Sequence, residues 1–271
     1  MEIADAPGGR ASAAKGEEGG FTSFLLKLVL IVLAVRIFVV APFSIPSESM
    51  MPTLLRGDFL VAAKWPYGWS RLSVPFDLPL IPGRIKAAVP ERGEVVIFRH
   101  PLEDADYIKR AVGLPGDTVA MADGALILNG RAVRRERIAD ALIPATPYVS
   151  CAGAEPVADG KSETACRYRR FRETLPGGRS YEVLDFGRSA QDDFAPVTVP
   201  AGHLFVLGDN RDNSLDSRFA AAPGGGVGIV DGDQLVARAA FVAFSVDGSA
   251  ALAKPLTWFT AVRWSRIGTG L

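Results

Sequence analysis

Two serines, Ser47 and Ser49, lie in the segment Ser44-Ile45-Pro46-Ser47-Glu48-Ser49-Met50-Met51-Pro52-Thr53-Leu54, just beyond a long apolar run. Pro46 and Pro52 fix their own φ angles and push the residues before them toward extended backbone. Extended geometry would point both hydroxyls to one face. A nucleophile and a neighbouring hydrogen-bond donor need that arrangement. The plainer alternative is a serine-bearing linker leaving an apolar anchor. A nucleophilic serine also needs a base, and the two histidines are poorly placed to serve. His100 precedes Pro101, and His203 opens an apolar strand. No GxSxG elbow and no SxxK motif is present, so the α/β-hydrolase and β-lactamase templates fail.

Lysine remains. Of Lys15, Lys27, Lys64, Lys86, Lys109, Lys161 and Lys254, only Lys109 lies in a strongly strand-like stretch, Tyr107-Ile108-Lys109-Arg110-Ala111-Val112. Alternation puts Lys109 on the face of Tyr107 and Ala111, with Arg110 opposite. A desolvated lysine can act as a neutral base, whereas arginine stays protonated. Bringing its pKa from about 10.4 to near 8 costs roughly 3 kcal/mol, which a stable domain can absorb. The plainer alternative is an exposed strand lysine. A third dense segment runs from Gly208 to Arg218 (GDNRDNSLDSR). It fails as an EF-hand, lacking the sixth-position glycine and the twelfth-position glutamate. Its Asp, Asn, Ser and Arg residues suit a self-satisfied turn that holds a catalytic group in place.

These segments must be positioned by the rest of the 271 residues. Thirty basic residues balance thirty acidic ones, which gives no sign of a nucleic-acid partner. Residues 1–20 read as a short disordered tail. Residues 21–41 are apolar apart from Thr22, Ser23, Lys27 and Arg36. At ~1.5 Å per residue they reach roughly 31 Å, one hydrocarbon thickness, and read as a permanent transmembrane helix. A cleaved signal peptide fits less well, because Pro42 would follow the cut. Residues 42–271 read as a turn-rich β domain, supported by 28 Gly and 19 Pro. Strands are expected at Phe59–Ala63, Val95–Arg99, Asp106–Val112, Thr118–Met121, Ala125–Leu128, Arg167–Arg172, Tyr181–Phe186, His203–Leu207 and Leu235–Ser245, with a hairpin turn at Asp123-Gly124. The aromatic, proline-rich stretch 65–85 suits either a packed Ω-loop or an interfacial membrane contact, and the tail with Trp258, Phe259 and Trp264 beside Arg263 and Arg266 has an interfacial composition. Residues 138–166 read as an irregular insertion. It holds the only cysteines, Cys151 and Cys166, which would form a disulfide if this region lies outside the cytoplasm. Zinc-ligand spacing is absent, and no metal or cofactor is expected.

Together, IPSESMMPTL, RGDFLVAAK, RGEVVIF, YIKRAVGLPGD and GDNRDNSLDSR, in this order between residues 43 and 245, resemble the bacterial type I signal peptidases. These are membrane-anchored Ser/Lys proteases of mainly antiparallel β fold. The resemblance implies Ser49 as nucleophile, Lys109 as general base, and Ser47 as an oxyanion donor beside the Ser49 amide. It implies that Ser214 orients Lys109, with support from Asp216 and Arg218. Phe43, Ile45, Met50, Leu54, Tyr107 and Ile108 would line shallow pockets for small residues at positions −1 and −3. The implied substrates are the signal peptides of exported preproteins. The implied setting is the bacterial inner membrane, in contact with lipid. The chain would cross once, as a monomer beside the export machinery, with the catalytic domain on the extracytoplasmic side. Glu48 departs from the glycine many members carry, and its side chain should alternate away from the two serines. Two rivals are a self-cleaving repressor-type Ser/Lys protease and a membrane-tethered β scaffold without chemistry. The apolar anchor and GDNRDNS oppose the first. The presence of both Ser49 and Lys109 opposes the second.

Overall fold

The computed structural model describes residues 17–158, 164–251, 254 and 256–271. The expected tail lies largely outside them. The first element is a helix, Glu17–Phe38, whose stretch Gly20–Phe38 is apolar enough to cross a membrane and is left unburied by the rest of the protein except at its C-terminal end. It ends three residues before the apolar run does. Val40–Ser44 instead forms a strand, paired antiparallel with Asp58–Ala63 from Val40↔Ala63 to Ser44↔Phe59. The continuous apolar sequence hid that change, because helix and buried strand share it.

The main sheet has seven strands. In order these are Val40–Ser44, Asp58–Ala63, Leu235–Ser245, Val95–Arg99, Asp106–Gly113, His203–Leu207 and Val230–Asp231. Register shifts along Leu235–Ser245 bend it. The lysine strand Asp106–Gly113 is paired with Val95–Arg99 from Asp106 to Arg110, but with His203–Leu207 only from Arg110 onward. One edge of Asp106–Lys109 is therefore open. The Asp123-Gly124 hairpin forms between Thr118–Ala122 and Ala125–Leu128, with both residues at positive φ, as a two-residue primed turn requires.

Between 138 and 166, residues 138–144, 155–158 and 164–166 are strands where an irregular insertion was expected. Arg134–Pro144, Glu155–Ala158 and Thr164–Thr174 pair into a second sheet, joined by Ser180–Leu184. Polar residues along both faces of Arg134–Pro144 masked its alternation. Cys151 and Cys166 are joined by a disulfide within this unit.

The serine segment is wedged between the two sheets. Met50 and Leu54 enter a core with Ile45, Leu60, Ile108 and Val242. Met51 and Leu55 enter another with Ala141, Ile143, Tyr168 and Leu184 of the second sheet. The four side chains are almost wholly buried, so a short turn is clamped from both sides. At the other end of the strand, Trp69 Nε1 donates to the Phe38 carbonyl at 3.0 Å, and the two rings meet edge-on. The stretch 65–85 is built of single 3-10 turns and a two-residue strand pair, with Phe76 almost fully exposed.

Candidate active site

The backbone is extended through Ser44 and then turns. Met51 N donates to Glu48 O, and Leu54 N to Met50 O. Ser47 and Ser49 thus meet across a turn and not along a strand, with their Oγ atoms 3.3 Å apart. The two methionine–leucine pairs override the extended preference of the prolines by burying opposite sides of the turn.

Lys109 Nζ lies 2.6 Å from Ser49 Oγ, a hydrogen bond between residues sixty positions apart. Both are buried, Ser49 at 7% exposure and Lys109 at 4%. Burial lowers the Lys109 pKa to about 8. Asp216 and Asp209 pull it up, and Arg218 pulls it down. The Ser49 N–H donates to no protein acceptor among the described residues. It and the exposed Ser47 hydroxyl border a cleft of about 490 Å³, lined also by Tyr107, Ile108, Lys109 and Ser214. A larger cavity of about 540 Å³, over Arg71, Arg99 and Glu103, holds no nucleophile–base pair.

The Gly208–Arg218 loop clamps the serine turn. Asn210 N donates to Ser49 O at 3.0 Å, Asn210 Nδ2 to Glu48 O at 3.1 Å, and Thr53 Oγ1 to Asp209 Oδ2 at 2.5 Å. Asp209 in turn receives two bonds from Arg110, the residue after the lysine. Serine turn, lysine strand and loop therefore share one buried ion pair. Asp216 accepts from Gly208 N and from Arg218, whose guanidinium also donates to Arg211 O. Arg211 reaches Glu173 of the second sheet at 2.5 Å, fully buried. Asp216 and Arg218 were expected from the resemblance, whereas the Thr53–Asp209–Arg110 and Arg211–Glu173 links were not, except for the hint of an arginine inside an apolar strand.

Other expected residues divide. Tyr107 and Ile108 face the cleft, whereas Phe43, Ile45, Met50 and Leu54 pack in the core beneath it. Ser214 Oγ is buried at the cleft but bonds to no protein atom among the described residues, Lys109 included. It stacks over Gly208, whose backbone leaves it just enough room. Glu48 points to the second sheet, accepting from Ser150 N and Asn213 Nδ2. His100 is buried against the Gly226 carbonyl, and His203 caps Ala201 O at the surface. Neither borders the cleft.

Known proteins are similar to this chain over most of its length. Residues 20–244 match the family described as "Signal peptidase, peptidase S26". The chain is 36% identical to Signal peptidase I of Rickettsia canadensis over 80% of its own length and 77% of that protein's. It is 33% identical to Signal peptidase I of Rickettsia typhi over 91% of each. A crystal structure of a signal peptidase I from Enterococcus faecalis aligns with 55% of this chain and 95% of its own, at 26% identity and a TM-score of 0.29. The chain belongs to the signal peptidase family, peptidase S26, and is a serine peptidase hydrolase.

Proposed function

We propose that this protein is a membrane-anchored endopeptidase that removes N-terminal signal peptides from exported preproteins after a small residue, with Ser49 as nucleophile and Lys109 as base. One observation carries the reading: a buried serine hydroxyl lies 2.6 Å from a buried lysine amine whose pKa is brought down to about 8. Burial keeps a useful fraction of that amine neutral near physiological pH. Neutral Lys109 takes the Ser49 proton as Oγ attacks the scissile carbonyl. The Ser49 N–H and Ser47 Oγ stabilise the oxyanion. The lysine then protonates the leaving amine, and water releases the acyl-enzyme. Substrate enters as an added strand on the open edge of Asp106–Lys109, so backbone bonds supply affinity. A small residue of the substrate would sit beside Tyr107 and Ile108, which line the cleft. Ser214, with its free hydroxyl, takes up the lysine ammonium once the substrate displaces solvent, while Asp216 and Arg218 hold its loop.

The single apolar helix serves as the anchor in the bacterial inner membrane. The disulfide favours an oxidising, extracytoplasmic side for the β domain. Exposed Phe76, Leu80, Trp258, Phe259 and Trp264 suit contact with the lipid interface. The test is incubation of the purified chain with a preprotein whose signal peptide ends in Ala-x-Ala, followed by mass spectrometry of the products. A single cut after the last alanine is expected. No cut, or one that persists in Ser49→Ala, overturns the reading.

Ser47→Ala keeps nucleophile and base and removes one oxyanion donor. Its kcat should fall about 10²–10³-fold with KM little changed. Ser47→Thr, which keeps the hydroxyl, should recover much of that. A Ser47→Ala enzyme with unchanged kcat would remove Ser47 from the oxyanion site.

A further inference from the structure

At the foot of the N-terminal helix, away from the cleft nucleophile, a cavity of about 160 Å³ is lined by Arg36, Lys64, Phe43, Ser73, Asp77 and Asp106, among others. Its charges are unevenly satisfied. Asp77 and Asp106 are held by Arg99, at 2.5 and 2.8 Å, and Arg99 bonds Asp104 as well. Lys64 is only 5% exposed, yet its ammonium donates to just one partner, the Ser73 carbonyl at 2.8 Å. Arg36 makes no ion pair or side-chain hydrogen bond among the described residues. Two cations thus face one cavity with donors to spare and no carboxylate of their own. Burial and then the Arg36 guanidinium lower the Lys64 pKa to about 8, while Asp106 and Asp77, both already held by Arg99, pull it part of the way back up.

We propose that Arg36 and Lys64 form a binding site for the phosphodiester of a membrane phospholipid headgroup. Position favours a lipid over a free ion. Arg36 stands in the last turn of the apolar helix. Nineteen residues, Gly20–Phe38, rise roughly 28 Å, about the hydrocarbon thickness, so that turn comes at the depth of the headgroup phosphates. An arginine there extends along the helix toward the interface, and its planar fork matches phosphate oxygens. Lys64 supplies a fixed second donor from the β domain. A bound headgroup would bridge helix and domain, adding to the Trp69–Phe38 contact.

The inference rests on the membrane-anchored reading, and the two can fail separately. The full chain is reconstituted in nanodiscs of a phosphate-free galactolipid doped with phosphatidylglycerol, and retained lipid is counted by native mass spectrometry. One phosphatidylglycerol should stay with the protein, and Arg36→Gln should weaken its retention about tenfold, the loss of one charge-assisted contact. Lys64→Met should do the same. If it fails to fold, as judged by its melting curve, Arg36→Gln decides. Equal retention by wild type and Arg36→Gln overturns the site. So does displacement of the lipid by millimolar inorganic phosphate, which would mark a free-anion site. A chain that fails to enter phosphate-free discs at all overturns the anchor and not the headgroup site.

Discussion

Lys109→Met is expected to abolish cleavage, by about 10⁴-fold or more, while making the fold more stable. The folded-state pKa of about 8 lies below the ordinary 10.5, so burial of the charged amine costs stability. At pH 7 the cost is about 3 kcal/mol by linkage. Between roughly pH 8 and 10.5 the unfolded chain binds more protons than the folded one, so wild-type stability rises with pH there and carries the full penalty below it. Methionine has a similar shape and no charge. It should raise the melting temperature by several degrees and flatten that slope. The same pKa predicts that log kcat/KM climbs by about one per pH unit toward 8 and then levels. Lys109→Arg should be equally inactive, since its guanidinium stays protonated. Melting curves and pH–rate profiles on one preprotein decide the matter. An active arginine variant, or a profile that vanishes in His100→Ala, would end the Ser/Lys assignment.

Gly208→Ala should also cost activity, about 10²-fold, by a different route. A methyl there would sit 2.2 Å from Ser214 Oγ, 2.5 Å from Ser214 Cβ and 2.6 Å from the Ser49 carbonyl oxygen. No rotamer change relieves the last contact, because it is with backbone. Either the loop or the serine turn must shift, and the Asn210–Ser49 hydrogen bond is strained with it. A displacement near 1 Å at the nucleophile costs about 10²-fold in rate. Overpacking of this kind destabilises by roughly 1–3 kcal/mol. Gly270→Ala is the control, since nothing lies within 4 Å of its added methyl. A Gly208→Ala enzyme with normal kcat/KM would show that the loop does not position Ser49.

The strand carrying Lys109 was legible because β-branched and aromatic neighbours flank a short apolar run. The acidic loop was legible from composition alone. The route by which Ser49 meets Lys109 was not. Pro46 and Pro52 speak for extension, but Met50, Met51, Leu54 and Leu55 turn the chain to reach two cores, one of them built by residues nearly a hundred positions later. Of that second sheet only the strands around Arg167–Arg172 and Tyr181–Phe186 were legible; Arg134–Pro144 was not, since it carries charge on both faces and gains its order from pairing with Thr164–Thr174. The Arg110–Asp209 pair was hidden for a related reason. A single sequence shows a charge in a strand, and only the fold supplies the partner ninety-nine residues away.

The helix passes into the sheet with almost no slack. It ends at Phe38, Trp69 grips that end, and the first strand begins at Val40. Ser49 lies eleven positions after Phe38, which bounds their distance to about 40 Å even at full stretch. A hinge of flexible residues would have let the domain swing and meet scissile bonds at any height. A stiff joint makes the molecule a gauge. Among small residues of equal fit, it would accept the one held at the right elevation above the bilayer, so selection of the cut site is partly a measurement of length.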